Sequence, residues 1–520
     1  MMINRLLIAN RGEIARRVIR ACRELGIETV AVYSDADAGA PHVSEADLAV
    51  RIGPPAARDS YLNVDALLAA ARSTGADAVH PGYGFLSERA HFVRACESAG
   101  LVFVGPPASA LEQMGSKTGA RKLMIAAGVP VVPGETPADQ SDAALSAAAL
   151  RVGLPVMVKP AAGGGGIGMK VVREAAALPD GLAAARREAR AAFGDETLYV
   201  ERLIEQPRHV EIQVFADAHG HTVHVFEREC SLQRRHQKVI EESPCAALGP
   251  AIRARMGAAA VAAAQAVGYR NAGTCEFLLE GDGDEARFYF LEMNTRLQVE
   301  HPVTECVVGV DLVHAQLRVA SGEPLPFTQD QLTQRGHAIE CRVYAEDPAQ
   351  GFLPQAGAIL LYREPQGPGI RVDSGVGKGS EISVHYDPML AKLIVHAESR
   401  EAARRRAIAA LRSYAILGIR TNIPFLLRIL EHPRFVDAQV DTGFLDREGA
   451  AIAASIPQEL PKAASLVIEA LRKNPELRKN LEPRQNPEPR QNQTPGTFGT
   501  PGTPGTLDSD PFTALRDWRV

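Results

Sequence analysis

Short continuous apolar runs alternate with segments of helical period along the first part of the chain. Residues 3–9 read as a buried strand, followed by Asn10-Arg11-Gly12 and a helix with Ile14, Val18, Cys22 and Leu25 on one face. A second strand at 29–33, helical segments at 64–72 and 88–98, and strands at 77–80 and 101–104 continue the order. The alternation predicts an open, Rossmann-like parallel α/β domain over residues 1–113. Ligands bind such sheets at strand C-termini, where His80-Pro81-Gly82-Tyr83-Gly84-Phe85 falls, although a structural turn explains its glycines as well.

Beyond residue 113 the pattern changes. A strand at 154–159 runs into Gly163-Gly164-Gly165-Gly166-Ile167-Gly168 and then a second strand at 169–172. Glycines without Cβ let backbone N–H groups approach phosphate oxygens, so this hairpin reads either as a mobile phosphate flap or as a flexible turn. Lys159, at the strand end, brings an ammonium to the loop and favours the flap. No helix follows the glycines, which excludes a dinucleotide fingerprint. Met114-Gly115-Ser116-Lys117-Thr118 lacks the glycine pattern of a P-loop. Lys170 follows Met169 but is succeeded by Val171 within a strand, and reads as structural. A helix at 181–193, strands at 197–204, 208–215 and 221–227, the basic run 233–238 with Glu241-Glu242 behind it, and an Ala-rich helix at 251–267 come next. Strands at 273–279 and 287–292 flank a Gly/Asp turn. Antiparallel pairing about residue 284 places Glu276 opposite Glu292, and facing carboxylates repel unless a cation or proton lies between them. With Asn294 they form an oxygen-only set suited to Mg²⁺; two surface glutamates on a solvated hairpin are the plainer alternative.

The run 292–301 has the most regular pattern in the chain. Its even positions from Glu292 to Glu300 carry Glu, Asn, Arg, Gln and Glu, while the odd ones are apolar or nearly so. An extended chain would set all five on one face. Fully extended, Glu292 and Glu300 would lie roughly 26 Å apart at about 3.3 Å per residue, much longer than a triphosphate. A shared site therefore requires a bend near Thr295–Arg296.

Residues 336–446 read as a separate α+β domain, with strands at 338–344, 358–363 and 391–396 and a helix at 400–413. Arg342 lies in the first of these strands between Cys341 and Val343, so it needs a carboxylate partner or a cleft. After about residue 450 come a period-six repeat and a Thr/Pro/Gly tract, neither able to build a core.

The chain's 520 residues allow three or four domains. With 57 basic against 62 acidic residues, a net charge of −5 argues against a partner such as nucleic acid or an anionic membrane surface. Seven scattered cysteines, never spaced Cys-x-x-Cys, indicate neither a disulfide framework nor a zinc site. A reducing, cytoplasmic setting is expected, since the apolar patch before Arg11 is too short for a signal sequence.

Taken jointly, a glycine flap with lysines, opposed carboxylates, and Arg296, Gln298 and Glu300 beyond them describe phosphoryl transfer to a small anion. Ile8-Ala-Asn-Arg-Gly-Glu-Ile-Ala15, Pro207-Arg-His-Val-Glu-Ile-Gln213 and the segments 80–88, 163–169, 233–238 and 292–305 together resemble biotin carboxylase, an ATP-grasp ligase, from residue 3 to about 445.

The resemblance implies an N-terminal domain at 1–113, an ATP-grasp domain at 114–330 with its flap at 131–203, a C-terminal biotin carboxylase domain at 331–446, and a low-complexity, largely disordered tail at 447–520. It implies that Lys117, Lys159, Gly165, Gly166, Glu201, Ile204, His209 and His236, with Glu276 and Glu292, bind ATP. Glu276, Glu292 and Asn294 would hold two magnesium or manganese ions. Lys238, Arg296, Gln298 and Val299 would bind bicarbonate, with Glu300 the base and Arg342 stabilising the biotin oxyanion.

The implied reaction carboxylates biotin on a carrier protein through carboxyphosphate, the first half-reaction of an acetyl-CoA or acyl-CoA carboxylase such as serves fatty acid biosynthesis. Implied partners are a biotin carboxyl carrier protein, a carboxyltransferase subunit and a second copy of the chain. No Met-Lys-Met lies in a suitable context, so a separate carrier is expected, although residues 510–520 are similar to a segment that leads towards the biotin-carrying region in longer acyl-CoA carboxylase α-subunits. The alternatives are carbamoyl-phosphate formation, which would need a duplicated ATP-grasp half, and a non-catalytic nucleotide-binding subunit. The family usually has Lys or Arg where this chain has Ile167, removing one cation over the phosphates. Ile167→Arg is accordingly expected to lower the KM for ATP, measured by steady-state ATP hydrolysis; an unchanged KM would count against this.

Overall fold

In a computed structural model, the alternation at the N-terminus folds into a five-stranded parallel sheet. The structure describes residues 2–161, 168–235, 237–457, 465, 466, 469 and 473; the side chain of Lys117 lies outside this set. The strands are β1 (Arg5–Ile8), β2 (Glu28–Ser34), β3 (Leu48–Gly53), β4 (Ala78–His80) and β5 (Val102–Phe103), in spatial order β3-β2-β1-β4-β5. The pattern missed β3, an edge strand whose exposed Leu48 and Ala49 and interrupting Arg51 leave no buried apolar run.

The helix Gly12–Leu25 follows β1 and buries Ile14, Val18 and Cys22 as its period predicts, but Leu25 is 38% exposed at its last turn. Asn10 ties its start to the neighbouring loop. The Asn10 side chain accepts from Arg11 N at 2.8 Å and donates to the carbonyls of Pro81 at 2.7 Å and Tyr83 at 2.8 Å. The two strand-end loops are thereby held as one wall.

Four antiparallel strands form a second sheet: β6 (Gly134–Glu135), β7 (Val156–Pro160), β8 (Lys170–Val172) and β9 (Leu198–Arg202), in order β6-β9-β7-β8. Its core is Leu145, Val156, Val158, Leu182, Leu198 and Val200. Lys170 pairs with Glu188 at 2.6 Å, in keeping with a structural role.

The largest sheet has eight antiparallel strands: β10 (Arg208–Ala216), β11 (Thr222–Arg234), β12 (Gln237–Ser243), β13 (Asn271–Glu280), β14 (Arg287–Asn294), β15 (His337–Tyr344), β16 (Ile370–Ser374) and β17 (Met389–Ala397). Their order is β14-β13-β10-β11-β12-β15-β17-β16. This sheet runs unbroken across position 330, where the sequence pattern places a boundary, because β12 pairs with β15 from Ile240↔Cys341 to Ser243↔Ala338. Every residue of β15 is buried, so both its edges need strand partners.

The basic run 233–238 straddles a hairpin: Arg234 still belongs to β11 and Lys238 to β12, with Arg235 at φ 49° in the tight turn between them. Two other local expectations change. The strand expected at 358–363 is split into Gly357–Ala358 and Leu361–Arg363, which pair with different partners. The helix Phe444–Ala454 crosses position 447 and buries Leu445, Ile452 and Ala453, so folded structure extends into the expected tail.

Glu276 does lie opposite Glu292, but by a route the pattern did not contain. The hairpin closes with Glu280↔Arg287 and continues to Phe277↔Phe290, a register that would bring Leu291 opposite Glu276. A β-bulge leaves Leu291 unpaired and advances Glu292 into that position. Phe277 anchors this arrangement. It is fully buried, with the rings of Phe288 and Phe290 edge-on at 5.4 and 6.0 Å. Phe277→Ala is expected to lower stability by about 3–5 kcal/mol in denaturant unfolding, the range for a buried aromatic truncation.

Candidate functional site

The polar run divides where the length argument requires. Strand β14 ends at Asn294, Thr295 N donates to Glu88 Oε1 at 3.0 Å, and the chain turns so that Glu300 stands at the N-terminus of the helix His301–Val308. Glu292 and Asn294 stay on the sheet, while Arg296, Gln298 and Glu300 curl back over it. Arg296 donates to Asn294 Oδ1 at 3.1 Å and Gln298 Oε1 at 3.2 Å, and lies 3.3 Å from Glu88.

Strand register builds the floor beneath them. Glu292, Glu276, Glu211 and Arg228 occupy directly paired positions on β14, β13, β10 and β11, so three carboxylates and a guanidinium form one row. Lys238 reaches across from β12. Its Nζ lies 2.6 Å from Glu211, 2.9 Å from Glu276 and 2.6 Å from Glu300. Arg228, fully buried, is 2.5 Å from Glu211 and also donates to Gln213, Thr304 and Thr274. Arg342, from β15, bridges Glu241 at 2.5 Å and Glu300 at 2.9 Å, meeting both sequence-based alternatives for that residue: it has carboxylate partners and it lines the cleft.

These contacts sort the buried acids electrostatically. Burial alone would push the Glu300 carboxyl up, but Lys238, Arg342 and Arg228 together hold it well below the ordinary value. Glu276 is likewise held low against burial by Lys238 and His209, and Glu276 in turn holds His209 above its usual value despite burial. For Glu211 burial prevails over Arg228 and Lys238, and its carboxyl is raised. Glu241 is pushed up to about 7 by burial in spite of Arg342.

The expected nucleotide residues line the same cleft of about 990 Å³, a size suited to a nucleotide. Lys159 pairs with Glu201 on the facing strand, Ile204 and His209 continue that wall, and Glu276, Glu292 and Asn294 face it. Lys238, Arg296, Gln298, Val299 and Arg342 also line the cleft, with Lys238 and Gln298 touching Glu276 and Arg296 touching Asn294; Glu300 is wholly buried just behind Lys238 and Arg342. Glu276 and Glu292, in direct cross-strand register with the Asn294 amide alongside, offer the all-oxygen set a hard divalent cation takes, so these residues fit magnesium or manganese. Gly165, Gly166, Ile167, His236 and the Lys117 side chain lie outside the described residues.

Sequence reasoning gave no role to Glu211, Arg228, Glu241, Glu88 or Lys392. Glu211 follows His209 at strand period, which was a usable signal. For the others, the partners that reveal them are distant in sequence.

Three family models match in order: the biotin carboxylase N-terminal domain over residues 2–111, the carbamoyl-phosphate synthase L chain ATP-binding domain over 116–328, and the biotin carboxylase C-terminal domain over 340–447. Among relatives, Biotin carboxylase 1 of Bacillus subtilis is 52% identical over 445 residues, covering 86% of this chain and 98% of that protein. The mitochondrial methylcrotonoyl-CoA carboxylase subunit alpha of Oryza sativa is 52% identical over 446 residues, and the match spans 86% of this chain but 60% of that subunit. A solved biotin carboxylase domain dimer of Hydrogenobacter thermophilus 2-oxoglutarate carboxylase, in complex with MgADP, ADP and bicarbonate, superposes with a TM-score of 0.81 at 44% identity, covering 87% of this chain and 99% of that one. The Campylobacter jejuni biotin carboxylase–β-γ-ATP complex gives the same TM-score, 0.81, at 44% identity over 86% of this chain and 99% of that one.

Because the Glu300 carboxyl is held below its ordinary 4.5, the stability it contributes is complete above that pH and is lost as pH falls towards its folded value. Glu300→Gln is expected to cost about 3–5 kcal/mol at neutral pH by leaving buried cations uncompensated. The penalty should shrink below pH 4.5, so that wild-type and variant melting curves converge in acid; parallel curves would contradict the assignment.

Proposed function

The chain belongs to the biotin carboxylase family, and we propose that it carboxylates biotin on a carrier protein at the expense of ATP and bicarbonate. The observation that carries this reading is one cleft in which the opposed carboxylates Glu276 and Glu292 adjoin a basic pocket of Lys238, Arg296 and Arg342 closed around Glu300. Phosphoryl transfer needs positioning and charge neutralisation, which the first set supplies; a small anion as acceptor needs the second.

Lys159, Glu201, Ile204 and His209 hold the nucleotide in this reading, together with Lys117, Gly165, Gly166 and His236. Glu276, Glu292 and Asn294 hold magnesium or manganese, which when bound neutralises phosphate charge. Bicarbonate lies against Lys238, Arg296, Gln298 and Val299, and Glu300 removes its proton. A carboxylate held so low is a poor base while Lys238 and Arg342 are devoted to it. An anion arriving at Lys238 shares that positive field, so Glu300 gains basicity only once its substrate is seated. Deprotonated bicarbonate attacks the γ-phosphoryl group, ADP departs with the bridging oxygen, and the carboxyphosphate formed breaks down to CO₂ and phosphate. Phosphate then takes the biotin ureido proton, Arg342 stabilises the resulting oxyanion, and the ureido nitrogen adds to CO₂.

A separate biotin carboxyl carrier protein, a carboxyltransferase subunit and a second copy of the chain are the partners in this scheme, which is the first half of an acyl-CoA carboxylase reaction. All seven cysteines are free thiols, which suits a cytoplasmic setting. Among the described residues no helix is long and apolar enough to cross a membrane.

The purified chain is expected to hydrolyse ATP only with bicarbonate present and faster with free biotin. Glu300→Gln should lower biotin-dependent turnover by about 10²–10⁴-fold, the usual worth of a positioned general base. Full turnover in that variant would reject Glu300 as the base; ATP hydrolysis indifferent to bicarbonate and biotin would favour a non-catalytic nucleotide-binding subunit instead.

A further inference from the structure

Arg342 has a neighbour that the scheme above leaves unused. Lys392, on β17, is paired directly opposite Arg342 on β15, and it is fully buried. Like charges at directly opposed positions destabilise a sheet, and a buried ammonium is costly in itself. Asp373 on β16, paired with Lys392 on its other side, and Glu13 at 3.3 Å balance that charge, but they do not account for where the ammonium directs its shortest hydrogen bond. The two side chains converge on one dipeptide: Arg342 donates to the Glu300 carboxylate at 2.9 Å, and Lys392 Nζ donates to the Val299 carbonyl at 2.7 Å.

We propose that Lys392 is a positioning residue for the reaction, pinning the Val299 carbonyl so that the Val299–Glu300 turn presents Glu300 to bicarbonate. The peptide unit is planar, so fixing the Val299 oxygen fixes the plane that carries the Glu300 nitrogen and Cα. Arg342 then needs only to orient the side chain. The inference rests on the bicarbonate-activating reading given above.

The surroundings agree with this assignment. Glu13 lies 3.3 Å from Lys392 and accepts from Tyr83, a residue of the cleft wall, so the same anchor reaches the loop that Asn10 ties to the helix start. Glu340 is buried on the same face with neither carboxylate oxygen hydrogen-bonded, and burial raises it far above its ordinary value despite Lys392. The 2.7 Å hydrogen bond of Lys392 goes to a backbone acceptor inside the site, beyond what charge balance with Glu13 and Asp373 requires.

Lys392→Met and Lys392→Arg, measured beside the wild type in bicarbonate-dependent ATP hydrolysis, test the proposal. The Met variant is expected to raise the bicarbonate KM about ten-fold and lower kcat up to about 100-fold, as a misplacement of about 1 Å does, with the ATP KM unchanged. The Arg variant, keeping the charge, should recover part of both. A loss of kcat with both KM values unchanged marks a smaller folded fraction and overturns the proposal, as does wild-type behaviour in the Met variant. Should that variant fail to fold, a wild-type bicarbonate KM in Lys392→Arg overturns it and a raised one supports it. A wild type without bicarbonate-dependent hydrolysis would instead reject the reading of function on which the proposal rests.

Discussion

One sheet face in this protein carries more negative charge than a protein interior tolerates, and the ammonium of Lys238 keeps it together. Glu211, Glu276 and Glu300 each come within 2.9 Å of that nitrogen, and they arrive from β10, β13 and the turn after β14. Brought together without it, they would repel or take up protons. Long-range order around the cleft follows: β12 must sit where its lysine reaches all three, Arg228 must occupy the row beside Glu211, and Arg342 must cover the far oxygen of Glu300. The acids respond differently because their cations are unevenly shared: Glu300 and Glu276 are held below the ordinary carboxylate value, while Glu211 and Glu241 are raised above it.

Much of this was legible in the chain. The βα alternation, the metal-competent pairing of Glu276 with Glu292, and the need for a bend in the 292–300 run all follow from side-chain period and chain length. Local pattern could not supply the partners of Lys238, which approach from up to 62 residues away, or those of Arg342, 42 and 101 residues distant. Glu241 reads in sequence as an acid trailing a basic run, yet the fold buries it. Nor does the period reveal β3, whose edge position removes the apolar signal. Composition likewise does not reveal that one sheet spans the boundary near residue 330: a change in composition marks a change in local structure, while strand pairing joins what composition divides.

The turn at 295–300 is gripped from three parts of the chain. Glu88, in the loop after β4, holds Thr295 and Arg296, Lys238 holds Glu300 from β12, and Arg342 and Lys392 hold Glu300 and the Val299 carbonyl from β15 and β17. Six residues without regular structure would ordinarily be mobile. Here the backbone and side-chain anchors substitute for secondary structure, and the turn inherits the rigidity of the sheets that hold it.

The unpaired Leu291 gives the hairpin a property that its residues do not carry individually. A strand presents its side chains in two phases, and one supernumerary residue changes the phase of everything beyond it. Between the hairpin turn and Leu291 the strand serves the hydrophobic core; after it, Glu292 and Asn294 serve the cleft. The bulge thus uncouples two selective demands on one strand. Were the bulge to close with Leu291 retained, Leu291 would stand opposite Glu276 and Glu292 opposite Cys275, turned to the interior; deleting Leu291 would instead leave Glu292 opposite Glu276, so the bulge is needed only because the strand carries that one extra residue.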